Sequence, residues 1–302
     1  MSEILVRAGG FVLIIVLGYV LRRVGFFQES DFKVLSKIVI KITLPAAIIS
    51  SFNGKVIDSS MLGITCIALG SGIVYMLLAY LMNRKNGREQ QAFEIINLSS
   101  YNIGNFTLPF VQSFLGPMGV ITTSLFDVGN ACIGLGGSYS IASMIKGHGG
   151  FSLKRLLKAL FGSVPFVCHI TMITTNLAHI PIPAIVYSVT DIIGGANAFI
   201  AMLMIGVGFH LEGDGKQIGT ILRMLMVRYG IAFVLALGCY HFLPFSLEIR
   251  QALVILAFSP FAASSVAYTE EIKGDVGLAS AVNSMSIVIS IILIIFLLIV
   301  ML

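Results

Sequence analysis

Within an apolar run over residues 92–115 lies the stretch Tyr101-Asn102-Ile103-Gly104-Asn105-Phe106-Thr107-Leu108-Pro109-Phe110. Gly104 loosens the backbone, and Pro109 lacks the amide that would bond Asn105 O. An unpaired amide in hydrocarbon costs several kcal/mol, so a helix broken here needs cover from protein or from a cavity. A second polar, proline-broken stretch is Phe258-Ser259-Pro260-Phe261-Ala262-Ala263-Ser264-Ser265. The second half-helices are expected to start near Phe106 and near Ala263 or Ser264. Each start leaves free amides and about half a positive charge. Two such ends near the bilayer midplane make a site for an anion such as a carboxylate. Asn102 and Asn105 would donate side-chain amides, and Ser264 and Ser265 would cap their half-helix or donate to ligand. The competing reading is a tolerated kink whose Asn and Ser only satisfy the broken backbone.

Few other side chains in apolar segments carry chemistry. Asp127 lies ten residues after Pro117, about 15 Å along a helix, which places it near the bilayer centre. It reads either as a proton-coupling group or as a neutral acid hydrogen-bonded to Asn130 or to another helix. Asp191 is shallower and is expected at the outer interface. Glu94, Glu270 and Glu271 fall at cytoplasmic ends, solvated or paired with Lys or Arg. Asn197 either lines the cavity or bonds between helices, and Gly206 and Gly208 permit close helix approach. His169, His210 and His241 stand alone, without metal-ligand spacing. No cysteine pair forms CxxC, so Cys66, Cys132, Cys168 and Cys239 read as structural thiols. No metal and no cofactor is expected.

Long apolar elements must position these groups. The 302 residues are 57% hydrophobic and 11% charged, against about 25% charged in a soluble domain. Mean hydropathy is +0.98. These values exclude a soluble enzyme or a nucleic-acid-binding domain; the net charge of +5 is the usual excess of cations on cytoplasmic loops. Ten spans of about 20 residues are expected at roughly 4–21, 36–52, 61–82, 92–115, 118–145, 156–178, 184–210, 217–243, 250–270 and 276–302. The first ends in Arg22-Arg23 without a cleavage site and reads as a retained helix. Pro45 kinks the second, and spans four and nine are interrupted.

Charge orients the chain. Fourteen of the nineteen Lys and Arg, among them Arg22, Arg84, Lys146, Lys216 and Lys273, fall on odd-numbered loops. Those loops are therefore cytoplasmic, and both termini lie outside the cell (inner) membrane. Residues 1–145 form a first five-helix repeat, 146–155 a short cytoplasmic connection, and 156–302 a second, inverted repeat. A weak internal match supports this: Gly116-Pro117-Met118-Gly119 resembles Gly274-Asp275-Val276-Gly277, and the same offset carries Asn102 onto Pro260.

Several of these pieces resemble the auxin efflux carrier family, which includes the plant auxin exporters and bacterial malonate and malate permeases. They are Leu44-Pro45-Ala46, Asn102 seven residues before Pro109, Gly116 seven residues after it, Ala201-Met202-Leu203-Met204-Ile205-Gly206, and Pro260 with Glu271 and Asp275. The chain departs from the family at Thr107, where Gly is frequent, and at Phe199, where Pro is common. It also lacks the plant carriers' long central loop. The resemblance implies an all-α polytopic membrane protein of ten helices in two inverted repeats, with broken helices four and nine crossing. It implies transport of small organic anions by alternating access, with Asn102 at the substrate carboxylate. Spans three to five and eight to ten would then move against spans one, two, six and seven.

The expected substrate-binding set is Asn102, Gly104, Asn105, Phe106, Pro109, Asn197, Ser259, Pro260, Ser264 and Ser265. Asp127 with Asn130 is the ion-coupling candidate, for H+ or Na+. The expected partners are a small organic anion and the lipid bilayer, with a homodimer left open and nucleic acid excluded. A sodium–proton antiporter is the alternative, but that chemistry wants paired acids at the breaks, which are absent from both stretches. An intramembrane aspartyl protease would need Asp127 and Asp191 to share a proton at close range, and their estimated depths differ.

Overall fold

The computed structural model describes residues 2–147, 150–209 and 217–302. His148 and Gly149 of the central connection lie outside the described residues, as do His210 and Lys216. The helices are α1 (Ser2–Arg23), α2 (Asp31–Ile38), α3 (Leu44–Ser51), α4 (Gly63–Met82), α5 (Arg88–Leu98), α6 (Leu108–Cys132), α7 (Ser138–Lys146) and α8 (Leu153–Gly162). They continue as α9 (Val164–Leu177), α10 (Ala184–Gly195), α11 (Asn197–Val207), α12 (Ile218–Phe242), α13 (Leu247–Ala257), α14 (Ser264–Glu271) and α15 (Val276–Met301). Among the described residues the β pairing is a single antiparallel bridge, Tyr101 with Phe261.

Among the described residues six helical runs are long and apolar enough to cross a membrane: Ile4–Arg23, Ser59–Met82, Ile103–Lys146, Ala184–Val207, Ile218–Phe242 and Val276–Met301. A seventh is Leu153–Gly162 with Val164–Leu177, bent by 82°. The fourth and ninth expected spans are each in two pieces. Eleven residues of α5 or α13 reach only about 16 Å, half the hydrocarbon thickness.

Three expected spans need correction. The fifth is not continuous: a wide-turn segment Ile133–Gly137, carrying three of its glycines, separates α6 from α7. The sixth bends where Ser163 is extended (φ −88°, ψ 114°) and Pro165 opens α9, leaving α8 as a short amphipathic helix bearing Lys154, Arg155 and Lys158. The fourth restarts at Ile103 rather than near Phe106. There a wide turn spans Ile103–Thr107, two residues ahead of Pro109, just as Val39–Thr43 precedes Pro45. Proline cannot donate to the carbonyl four residues back, and widening the turn shifts the bonding register past that carbonyl.

Gly116 (φ 60°, ψ −157°) turns the chain inside the run assigned to α6, so its two ends are separate helical pieces as the sequence predicts. That backbone is left-handed, which suits Gly. Elsewhere α1 lies along α11, and α4 along α6. The aromatic core gathers at the two breaks, where Tyr101, Phe106, Phe110, Phe126 and Phe261 are at most 2% exposed.

Candidate functional site

The two unwound stretches bond to one another. Asn102 N–H donates to Pro260 O (2.9 Å), and Ala262 N–H donates to Ser100 O (3.3 Å). Thr107 Oγ1 donates to Ser259 Oγ (2.6 Å), which donates to Leu256 O (2.7 Å). The hydroxyl at Thr107, one of the departures from the family pattern, thus ties one break to the other.

Asn130 holds the first break from outside. Its Oδ1 accepts from Tyr101 N–H (2.9 Å), and its Nδ2 donates to Tyr101 O (3.0 Å) and to Asp127 Oδ1 (2.8 Å). Asn283 Nδ2 plays the same part in the second break, lying 3.2 Å from both Phe261 O and Ala262 O. Replacing Asn130 by Ala leaves two buried backbone groups of Tyr101 unpaired. Each such loss costs roughly 1–3 kcal/mol, so the variant is expected to lose about 3 kcal/mol of stability. Denaturant unfolding in micelles reads this directly, and an unchanged midpoint would show that other contacts hold the break.

A cavity of about 390 Å³ opens beside the crossing. On one side it is lined by Tyr101 to Asn105, Asp127, Asn130, Gly134 and Ala262 to Ser264. On the other it meets Phe32 and Ser36 of α2 and Ile40 just beyond it, with Ser163, Pro165 and Phe166 at the bend of the sixth expected span. The first helical bond after the first break runs from Thr107 N–H to Asn102 O (3.3 Å), so the amides before it are left over by the helix. At the second break Ser265 N–H closes a tight turn on Ala262 O (3.1 Å), leaving the amides of Ala263 and Ser264.

Among the described residues the Asn102 side-chain amide takes no partner, and Asn105 Oδ1 is buried without one. These groups need a guest or water. Asn102, Gly104, Asn105, Asp127, Asn130 and Ser264 therefore share one cavity. The remaining expected residues lie elsewhere. The ring of Phe106 is fully buried against Phe110, centroids 5.4 Å apart. Pro109 is buried in the first turn of α6. Asn197 is also fully buried; it accepts from Thr43 Oγ1 (3.0 Å) and donates to Gln112 Oε1 (3.2 Å), so it bonds between helices. Pro260 offers its carbonyl to Asn102, and the Ser259 hydroxyl is taken up between Thr107 and Leu256. Ser264 caps nothing: its Oγ donates to Gly134 O (3.2 Å). Ser265 Oγ is buried and unpartnered.

Two residues escape the sequence reading. His169 does not stand alone: its Nε2 lies 3.4 Å from Asp127 Oδ2, unaligned for a hydrogen bond, and the ring is 1% exposed. Arg228, inside the eighth expected span, is fully buried behind Tyr101. Asp191 is exposed on α10 and does not line the cavity with Asp127. Glu94, expected solvated or paired, is 1% exposed and paired with Arg223 and Asn83.

Residues 11–146 match the sequence model of the family described as membrane transport protein, that of the auxin efflux carriers. The matched part holds the first break, Asp127 and Asn130. A protein named uncharacterized transporter from Methanothermobacter thermautotrophicus is 21% identical over 285 residues, covering 93% of each chain. With the apolar helices above, these likenesses mark an integral membrane protein of transporter type.

Proposed function

We propose that this chain, whose first half matches a membrane transport family, is a secondary carrier of small organic anions working by alternating access. The observation that carries the reading is the pair of broken helices. Their unwound segments bond to one another, and their leftover amides line one cavity with the unpartnered Asn102. A carboxylate meets the positive ends of two half-helices there, with neutral donors to orient it. Among the described residues neither break carries an acid, which disfavours a cation antiporter at this point.

In this reading the chain crosses the bilayer ten times as two inverted repeats, with both termini outside. The cavity then lies between a moving bundle, which contributes both breaks and Asp127, and a scaffold, which contributes Phe32, Ser36, Ile40 and the bend at Ser163. The direct test is uptake of radiolabelled malonate, malate and auxin into proteoliposomes. Saturable uptake of at least one of them is expected. Uptake of all three at the level of empty liposomes, together with proton release on adding sodium alone, would replace the carrier reading by the antiporter.

Asp127 is the proposed proton-coupling group. It is 16% exposed at the cavity, bonded by Asn130 and faced by His169. An Asp127→Asn variant keeps the shape and the bond to Asn130 but carries no exchangeable carboxyl proton. Uptake driven by an imposed proton gradient is expected to fall to the empty-liposome level, while exchange of labelled for unlabelled substrate persists. Gradient-driven uptake equal to that of the native protein would remove Asp127 from coupling.

A further inference from the structure

The opposite ends of the two breaks pose a separate electrostatic problem. Leu98 ends α5, and Ser259 lies two residues beyond the end of α13. Both are C-terminal ends of first half-helices, where orphan carbonyls carry about half a negative charge each. Arg228, midway along α12, answers both. Its Nη1 donates to Leu98 O (2.9 Å) and its Nη2 to Ser259 O (3.0 Å).

The guanidinium is enclosed by rings, 4.0 Å from the centroid of Tyr101, 4.7 Å from Tyr75 and 5.4 Å from Phe261. Tyr75 OH donates to Arg228 O (2.9 Å), fixing α12 to α4 at this level. Among the described residues no carboxylate stands within ion-pair distance of Arg228. A lone buried cation is costly unless its surroundings neutralise it. Here two half-charges of opposite sign and three aromatic faces do so. Half-helix C-terminal ends and unwound carbonyls are also the groups that coordinate sodium in transporters built on broken helices.

We infer that Arg228 is a built-in cation occupying the position a transported Na+ would take between the two half-helix C-termini, so that this crossing needs no sodium. The consequence runs through to the cavity. With the C-terminal ends neutralised by a covalently attached charge, the N-terminal ends stay available to an anion whatever the sodium concentration. The inference rests on the carrier reading for the anion, but its test does not depend on transport.

Purified protein is heated in sodium chloride and in choline chloride at equal ionic strength, beside Arg228→Lys and Arg228→Ala. The native protein and Arg228→Lys, which keeps the charge, are expected to unfold at the same temperature in both salts. Arg228→Ala is expected to unfold earlier and to regain about 2 °C or more in sodium but not in choline, because a ligand of the folded state raises its apparent stability. A purely structural role would lower the unfolding temperature without this ion selectivity. A sodium-specific rise in the native protein overturns the inference, as does a folded Arg228→Ala indifferent to the cation. If Arg228→Ala yields no folded protein, radiosodium binding to the native protein decides: saturable binding overturns the inference and its absence supports it. Failure of carboxylate uptake would sink the carrier reading alone and leave the sodium result intact.

Discussion

Replacing Asn102 by alanine is expected to weaken carboxylate binding about 10- to 100-fold while leaving the protein folded. A hydrogen bond to a charged partner contributes roughly 1.5–3 kcal/mol, and each 1.4 kcal/mol is a factor of ten. The fold should survive because Asn102 serves the crossing through its backbone. Its N–H donates to Pro260 O and its carbonyl accepts from Thr107 N–H, and alanine keeps both. Its dihedrals, φ −86° and ψ 75°, carry no left-handed strain that would single out Asn. Uptake kinetics in proteoliposomes, read with the unfolding temperature, separate the two effects. The Asn102→Ala protein should show a raised KM and an unchanged melting point. Native kinetics would remove Asn102 from the site, and a collapsed melting point would make its side chain structural.

Gly206 to valine is expected to be the most damaging single change outside the crossing. A Cβ at Gly206 would stand 2.0 Å from Ile15 O and 2.9 Å from Tyr19 N, both backbone atoms of α1. The contact is mutual, since a Cβ at Gly18 would stand 2.4 Å from Leu203 O. Backbone on both sides leaves no flexible side-chain end to move, so α1 and α11 must separate. Overpacking of this kind costs about 3 kcal/mol or more, roughly 6 °C in a chain of this length. Gly10, on the facing helix α1, is the control, for nothing lies within 4 Å of a Cβ there. Gly10→Ala should be neutral or slightly stabilising, because alanine is the better helix former by up to about 1 kcal/mol. Equal melting points for Gly206→Val and Gly10→Ala would contradict the close approach of the two helices.

The breaks were legible because their signal is local. Two Asn, a Gly and a Pro inside an apolar run disturb a helix wherever it is placed, and so do Ser259, Pro260 and Ser264. The start of the second half-helix at the second break was readable to a residue for the same reason. The first was misplaced by three residues because the wide turn ahead of Pro109 gathers Ile103 into the helix. The role of Gly206 was legible from small residues alone.

What escaped depends on contacts between residues far apart in the chain. Asp127 and His169 meet across 41 intervening positions on different helices, with no periodicity linking them. Asn197 looked equally suited to the cavity until Thr43 and Gln112 were found to occupy its amide. Arg228 is the clearest case. A single arginine in an apolar helix announces a functional position but not its partners, which here are carbonyls and rings with no charge to match. The bend at Ser163 was hidden because both arms are helical and apolar enough to read as one span.

Crystals soaked with bromomalonate test the anion site most directly, by the anomalous signal of bromine. The account predicts a peak inside the cavity of about 390 Å³, with the carboxylates against the Asn102 amide and the amides leading into Gly104 and Ser264. A bromine peak elsewhere in the protein, with the amides of both half-helices facing only water, would contradict it.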